Sequence, residues 1–248
     1  MTLFLAVILA VAGLELLLIL LVHHYRKQFQ WLITKQDELP QLDREGLAKF
    51  FAKSYDPELG WVRRPNTTGT ERGKGGPITF HIDELGSRKS HAAGEPKLAA
   101  FGDSYTFCRQ VEDSETWEAY LSEESGNKVL NFGVGNYGAD QAVMRYLRTE
   151  LPDSVDVVVL GFVPETLCRV HSHWKHYLEF GNTFAFKPRY MVGEKGELTL
   201  SENPMKSEEQ FQEIEELIPQ LAERDFFYRR KFRALQFRFP YTASFVRH

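Results

Sequence analysis

The sequence predicts an α/β domain built on a parallel sheet and preceded by one transmembrane helix. Three observations carry that expectation. Residues 2–22 are almost wholly Leu, Ile, Val, Ala and Phe, and about 20 such residues cross the hydrocarbon core of a bilayer as a helix. From Lys97 onward, apolar runs alternate with amphipathic segments. Alternating strands and helices give a parallel sheet joined by right-handed crossovers. The first of those runs ends in Gly102-Asp103-Ser104, a serine at a strand-to-helix junction, where α/β sheets present reactive groups.

Composition excludes several classes. The chain has 248 residues, 43% apolar and 26% charged, with a net charge of −4. That balance suits a globular protein and argues against a nucleic-acid partner. The two cysteines, Cys108 and Cys168, form neither a metal-ligand spacing nor a disulfide framework, and are read as idle thiols. His173 and His176 lie three apart without carboxylate support, a weak metal spacing. No metal and no cofactor is expected.

In chain order, residues 1–24 form the anchor. The segment is too long and too Leu-rich for a cleaved signal and shows no small-x-small cleavage site. Glu15 inside it is costly in a bilayer, so it is expected to be protonated, paired or facing another helix. His23, His24, Arg26 and Lys27 follow, and the positive-inside rule then leaves the bulk of the chain in the cytoplasm. Residues 25–95 are expected to form a juxtamembrane helix and a small β-rich prelude. Gln28 to Ser54 reads as a helix broken at Pro40. Asp56 to Trp61 reads as a turn into a short strand, residues 63–68 and 73–76 as loops, and Ile78 to Ile82 as a half-buried strand. Ser87 to Pro96 reads as a polar linker.

Residues 96–248 are expected to hold the α/β domain. Its strands are Lys97 to Phe101, Lys128 to Phe132 and Asp156 to Phe162, the last a continuous apolar run typical of a strand covered on both faces. A helix is expected over Ser114 to Ser125, with Ser114 as cap and Trp117 buried. Another is expected over Ala139 to Leu151, with Val143, Tyr146 and Leu147 on one face. After Val170 come the aromatic and histidine-rich residues His171, His173, Trp174, His176 and Tyr177. A hairpin around 193–198 follows, then a helix over 207–233, acidic at its start and basic at its end.

Ser104 is the candidate nucleophile. Free N–H groups at a helix start stabilise an oxyanion. The plainer alternative is that Asp103 and Ser104 merely cap a helix. A rival motif is Gly133-Val134-Gly135-Asn136-Tyr137-Gly138, which fits G-x-G-x-x-G between a strand and a helix. It belongs to the second strand-helix pair, and the next strand ends in Gly161-Phe162 where a ribose-binding acid should stand. Glycines there also let backbone approach a substrate.

Five blocks then fall in a recognisable order over residues 97–170. They are Gly102 to Phe107, Glu115-Thr116-Trp117, Val129 to Val134, Tyr137 to Gln141, and Val157 to Phe162. Together they resemble the SGNH (GDSL-like) hydrolases, a family of serine esterases, lipases and acyltransferases. Asp56 to Trp61, Pro164-Glu165-Thr166 and Gly181 to Arg189 are similar to segments of a membrane-anchored bacterial subgroup. The resemblance implies a three-layer α/β/α parallel sheet of flavodoxin-like type, with Ser104 as nucleophile and Asp103 beside it. It implies oxyanion donors from the Ser104 N–H, from a backbone N–H at Gly135-Asn136, by alignment that of Asn136, and from a side chain after the third strand. There the family's Asn-Asp falls on Glu165-Thr166. An ionised carboxylate cannot donate, so either Glu165 is protonated or otherwise employed, or Thr166 donates instead.

The family's basic Asp-x-x-His pair has no match in the chain. The resemblance places it beyond His248, with the sequence a fragment lacking its last elements; His171, His173 and His176 are substitutes by residue type. The implied function is a serine esterase or O-acyltransferase acting on acyl esters of carbohydrate or lipid through an acyl-enzyme. The alternative is a non-catalytic binding module or inactive fragment. The implied partners are that acylated substrate and the bilayer at residues 2–22. Anchored relatives act outside the cytoplasmic membrane, so attachment is expected without a side.

Overall fold

The computed structural model describes residues 2–25, 42–174, 184–214, 216–217, 220–221, 225–226 and 239–247. The chain divides into two compact units, residues 1–41 with 214–248, and residues 42–213.

In the first unit, α1 (Thr2–His24) is the one helix among the described residues long and apolar enough to cross a membrane. Glu15 is half-buried and meets the short carboxyl-terminal helix Tyr241–Arg247. The amides of Tyr241 and Thr242 and the Thr242 hydroxyl all donate to its carboxylate. The first amides of a helix have no partner within it, and Glu15 supplies one. The Pro40 break and His176, Tyr177 and Gly181 to Thr183 lie outside the described residues.

The second unit opens with α2 (Arg44–Lys53), capped by Asp43, whose Oδ1 accepts from the Gly46 amide at 3.0 Å. Two short paired strands follow, β1 (Tyr55–Asp56) and β2 (Gly60–Trp61). An antiparallel hairpin comes next, β3 (Thr67–Gly73) with β4 (Gly76–Ile82). The β4 expectation holds. The loop expected at Arg63 to Thr68 instead runs into β3 from Thr67, a strand that alternation did not signal because its residues are mostly polar.

The sheet consists of β5 (Pro96–Phe101), β6 (Lys128–Asn131) and β7 (Val157–Leu160), all parallel, in the order β6-β5-β7. Its core is Ala99, Phe101, Leu130 and Phe132, with Tyr146, Leu151, Val155 and Val158 against it. Phe101 and Phe132 stack at 4.8 Å. Each such side chain contributes about 1.5–3 kcal/mol on burial.

The crossover helices depart from expectation in their faces. A 3-10 turn, Asp113–Glu115, precedes α4 (Trp117–Ser125), and Thr116 is the cap in place of Ser114. Trp117 is 37% exposed. The buried positions of α4 are Glu118 and Ser122, one turn apart, and the Ser122 hydroxyl accepts from the Val129 amide at 2.9 Å. In α5 (Ala139–Arg148), Ala142 and Arg145 face inward while Leu147 is 71% exposed. Strand β7 is not covered on both faces: Val157 and Leu160 are 50% and 42% exposed. The Ser87 to Pro96 segment is more than a linker, since Ser87 and Arg88 are buried and Arg88 bridges Ile82 and Asn131. Beyond α6 (Pro164–Arg169), β8 (Arg189–Val192) and β9 (Leu198–Ser201) form the expected hairpin. Within the expected 207–233 helix, a short helix Glu208–Gln212 is capped by Ser207 and ends at Glu213.

Candidate functional site

Strand β5 ends at Phe101, and the next three residues place the candidate nucleophile. A Cβ on Gly102 would lie 2.0 Å from Thr106 Oγ1 and 2.7 Å from the Gly161 carbonyl. Only glycine lets the chain turn this closely. Asp103 Oδ1 accepts from the Tyr105 amide at 2.8 Å and caps α3 (Ser104–Phe107), of which Ser104 is the first residue. Ser104 is half-buried. Neither its amide nor its hydroxyl is hydrogen-bonded within the described residues, so both stay open to a ligand. Asp103 therefore caps the helix as the plainer alternative requires, while Ser104 does not.

The other end of α3 is held by Arg88. Its guanidinium donates to the carbonyls of Phe107 (2.7 Å), Cys108 (2.9 Å) and Val111 (2.6 Å) and to Asp113 Oδ1 (2.7 Å). A cation at a helix end satisfies the carbonyls left there. Cys108, at φ 55°, closes the turn in the left-handed region.

The turn after β6 lies directly against α3. A Cβ on Gly133 would be 2.3 Å from the Phe107 amide nitrogen. The buried Asn131 side chain ties the two together. Its Nδ2 donates to the Thr106 carbonyl at 2.8 Å and its Oδ1 accepts from the Gly133 amide at 2.9 Å. Val134 donates to the Gly102 carbonyl at 3.0 Å. The prelude holds the outer side of this turn. Trp61 Nε1 donates to the Gly135 carbonyl at 3.0 Å, and the Tyr137 hydroxyl to the Trp61 carbonyl at 2.6 Å. Asn136 has φ 70°, a left-handed geometry that asparagine adopts more readily than most residues.

The segment after β7 is governed by a residue that sequence reasoning missed, Arg169. Its side chain is 4% exposed. It donates to Asp103 Oδ2 (3.3 Å), to the Tyr137 carbonyl (2.8 Å) and to Glu165 Oε1 (2.9 Å). One guanidinium thus links the residue beside Ser104, the turn after β6 and the start of α6. Glu165 is half-exposed and paired with that cation. The Thr166 hydroxyl donates to the Val163 carbonyl at 2.7 Å and is buried, so it is committed within its own turn. The detectable signal for Arg169 was its i,i+4 spacing from Glu165.

Of the histidine substitutes, His171 and His173 are described, and neither bonds to Ser104. His171 is exposed. His173 is buried, its Nδ1 2.7 Å from the Lys187 carbonyl and its Nε2 3.1 Å from the Ser201 hydroxyl. Burial lowers its pKa to about 4. Lys187 itself forms a buried pair with Asp140 at 2.6 Å. Near α3, burial pushes Glu118 up to about 8 and the Cys108 thiol up to about 11; Cys108 Sγ lies 3.7 Å from Glu118 Oε2. Both cysteines are free, and no cluster of potential metal ligands occurs among the described residues.

A cleft of about 340 Å³ opens beside the turn after β6, with Gly135 and Asn136 in its wall. Comparison with protein-family models and with curated proteins gives no match.

Proposed function

We propose that the chain is a membrane-anchored serine esterase or O-acyltransferase of the SGNH type. In this reading it acts on acyl esters of carbohydrate or lipid through an acyl-enzyme at Ser104. One observation carries the reading: Ser104 opens α3 at the carboxyl end of the central strand, its hydroxyl uncommitted, with the 133–136 turn packed on the same helix. The sheet order, second strand, first strand, third strand, is that of doubly wound flavodoxin-like sheets. It supports the three-layer architecture that the motif resemblance implies. The apolar α1 supports attachment to a bilayer.

The chemistry uses Ser104 and the main-chain amides near it, together with a general base that no described residue supplies at Ser104. Ser104 Oγ attacks the ester carbonyl, its proton passing to a base. The oxyanion accepts from the Ser104 amide and from the backbone at Gly135-Asn136. Collapse expels the alcohol and leaves an acyl-serine. Attack by water completes hydrolysis, and attack by another hydroxyl completes transfer. Arg169 holds Asp103 and Glu165, and so fixes the geometry around the serine without touching the reacting atoms.

A fluorophosphonate probe applied to the full chain in detergent tests this. The expected result is covalent labelling at Ser104, lost in Ser104→Ala. A folded protein that stays unlabelled while its Ser104 peptide is open to protease would overturn the reading. A non-catalytic binding module on the same fold is the second reading, favoured because no imidazole bonds to Ser104 among the described residues. Binding of an acylated saccharide by an unlabelled protein supports that alternative.

A further inference from the structure

The cleft beside the 133–136 turn has two chemically distinct ends. Phe50, Phe184 and Trp61 line one part, with Phe50 and Phe184 stacked at 5.5 Å. Arg63, Glu71 and Arg109 line the other. Glu71 bridges the two cations, 2.9 Å from Arg63 and 3.4 Å from Arg109. Two guanidinium groups against one carboxylate leave this end net positive.

The two arginines are not equally committed. Arg63 also lies over the rings of Phe80 and Phe107, at 4.6 and 4.8 Å, and is 27% exposed. Arg109 is 47% exposed and, among the described residues, its side chain is held only by the longer contact to Glu71. Among the described residues it is the cleft cation with donors to spare. Arg109 also stands just past α3, its amide 3.4 Å from the Ser104 carbonyl. The ionic end of the cleft therefore adjoins the helix that carries the serine.

We propose that this cleft binds an acidic saccharide, a pyranose unit bearing a carboxylate. The sugar face would lie against the aromatic end and the carboxylate would pair with Arg109. The volume suits a small ligand, since such sites run about 300–1,000 Å³. A plain acyl chain would leave the ionic end unused. An arginine presents a planar fork matched to a carboxylate, and Glu71 already occupies a carboxylate position between the two forks. Glu71 thus competes with the ligand and sets its affinity. The proposal rests on the acyl-serine reading for the chemistry it serves, but binding itself does not require turnover.

The test uses full-length Ser104→Ala protein in detergent and isothermal titration with tetragalacturonate, with cellotetraose as the neutral counterpart. Tetragalacturonate is expected to bind at least about tenfold more tightly than cellotetraose. Arg109→Gln should weaken the acidic ligand about tenfold and leave the neutral one unchanged. Glu71→Gln should tighten it several-fold, the opposite of what loss of a merely structural ion pair would do. Equal binding of both sugars, stronger binding of inorganic phosphate than of tetragalacturonate, or weakening by Glu71→Gln would overturn the proposal. So would no binding of either sugar. Fluorophosphonate labelling of the wild-type chain is read in parallel. Labelling without uronate binding defeats this inference alone, and uronate binding without labelling defeats the acyl-serine reading alone.

Discussion

The turns that follow β6 and β7 reach the same edge of the sheet, yet they are held in opposite ways. The turn after β6 is fixed many times over. Asn131 bonds it to α3, Val134 to Gly102, Trp61 and Tyr137 to the prelude, and Gln141 Oε1 accepts from the Gly138 amide at 3.0 Å. The turn after β7 leaves an edge strand that is half-exposed. It reaches the serine through the close approach of Gly161 to Thr106 and through one buried guanidinium, that of Arg169. Redundant support tolerates the loss of one bond, whereas a single shared cation does not. Position and sensitivity at this site should therefore separate by strand.

The largest effect is expected at Arg169. Arg169→Met strips the charge partner from Asp103, which is 2% exposed. Removing one member of a buried pair costs about 3–5 kcal/mol. Urea denaturation of the full chain should show a loss of that order, with Ser104 labelling falling in parallel. Arg169→Lys keeps the charge without the fork and should recover part of the stability and little of the labelling. A loss below about 1 kcal/mol would place the support for Asp103 elsewhere.

Asn131→Ala is the matching change on the other strand. It removes two buried hydrogen bonds and leaves the Thr106 carbonyl and the Gly133 amide to find new partners. The expected cost is about 1–3 kcal/mol. Because Trp61, Tyr137 and Val134 still hold the turn, labelling at Ser104 should drop less per kcal/mol lost than in Arg169→Met. Equal slopes for the two variants would mean that the two turns are not differently supported.

Much of this was legible before any coordinates. The three parallel strands and the serine at the end of the first follow from apolar runs and from residues whose types suit a strand-to-helix turn. The supporting network was not legible. Arg88 and Asn131 sit among residues that read as polar linker and strand end, Arg169 lies in a stretch with no assigned element, and their roles depend on partners 19 to 66 positions away. Faces were misread for a related reason. Leu147 and Trp117 look like core by residue type, but the positions that turn inward on α4 and α5 carry Glu118, Ser122 and Arg145. Periodicity finds an apolar stripe, not a polar residue buried for its hydrogen bonds.

Glu118 offers a test of the support that both turns share, the far end of α3. Burial raises its pKa from 4.5 to about 8. The folded state therefore favours the neutral acid. Its contribution is complete below the unfolded value and is lost as pH rises through the folded one. His173 has the opposite sign: burial lowers it from 6.5 to about 4, so its contribution is present above the unfolded value and lost as pH falls toward the folded one. Above pH 6.5 only the Glu118 slope remains of the two. At about 1.4 kcal/mol per pH unit, the chain should lose roughly 2 kcal/mol between pH 6.5 and 8. Glu118→Gln should flatten that limb in a series of urea melts. A limb that persists in the variant would assign it to another group.

The smallest effect on stability, and the most pointed on chemistry, is expected at Glu165. Its pair with Arg169 is half-exposed on the carboxylate side, and such pairs contribute about 0–1 kcal/mol. Glu165→Gln should therefore leave urea stability within about 0.5 kcal/mol, since an amide oxygen still accepts from the guanidinium. The chemical consequence has a definite sign. If the Glu165 carboxylate borders the oxyanion position, it repels the charge that develops there, and an amide supplies a donor in its place. Fluorophosphonate labelling at Ser104 should then accelerate in Glu165→Gln. An unchanged rate would put Glu165 outside the reacting region and leave the β7 turn with the single task of carrying Arg169. A slower rate would make the ion pair itself the thing that positions Asp103. The turn after β6 has no equivalent side chain to exchange, because the donors expected from it are main-chain amides, which only a proline substitution removes.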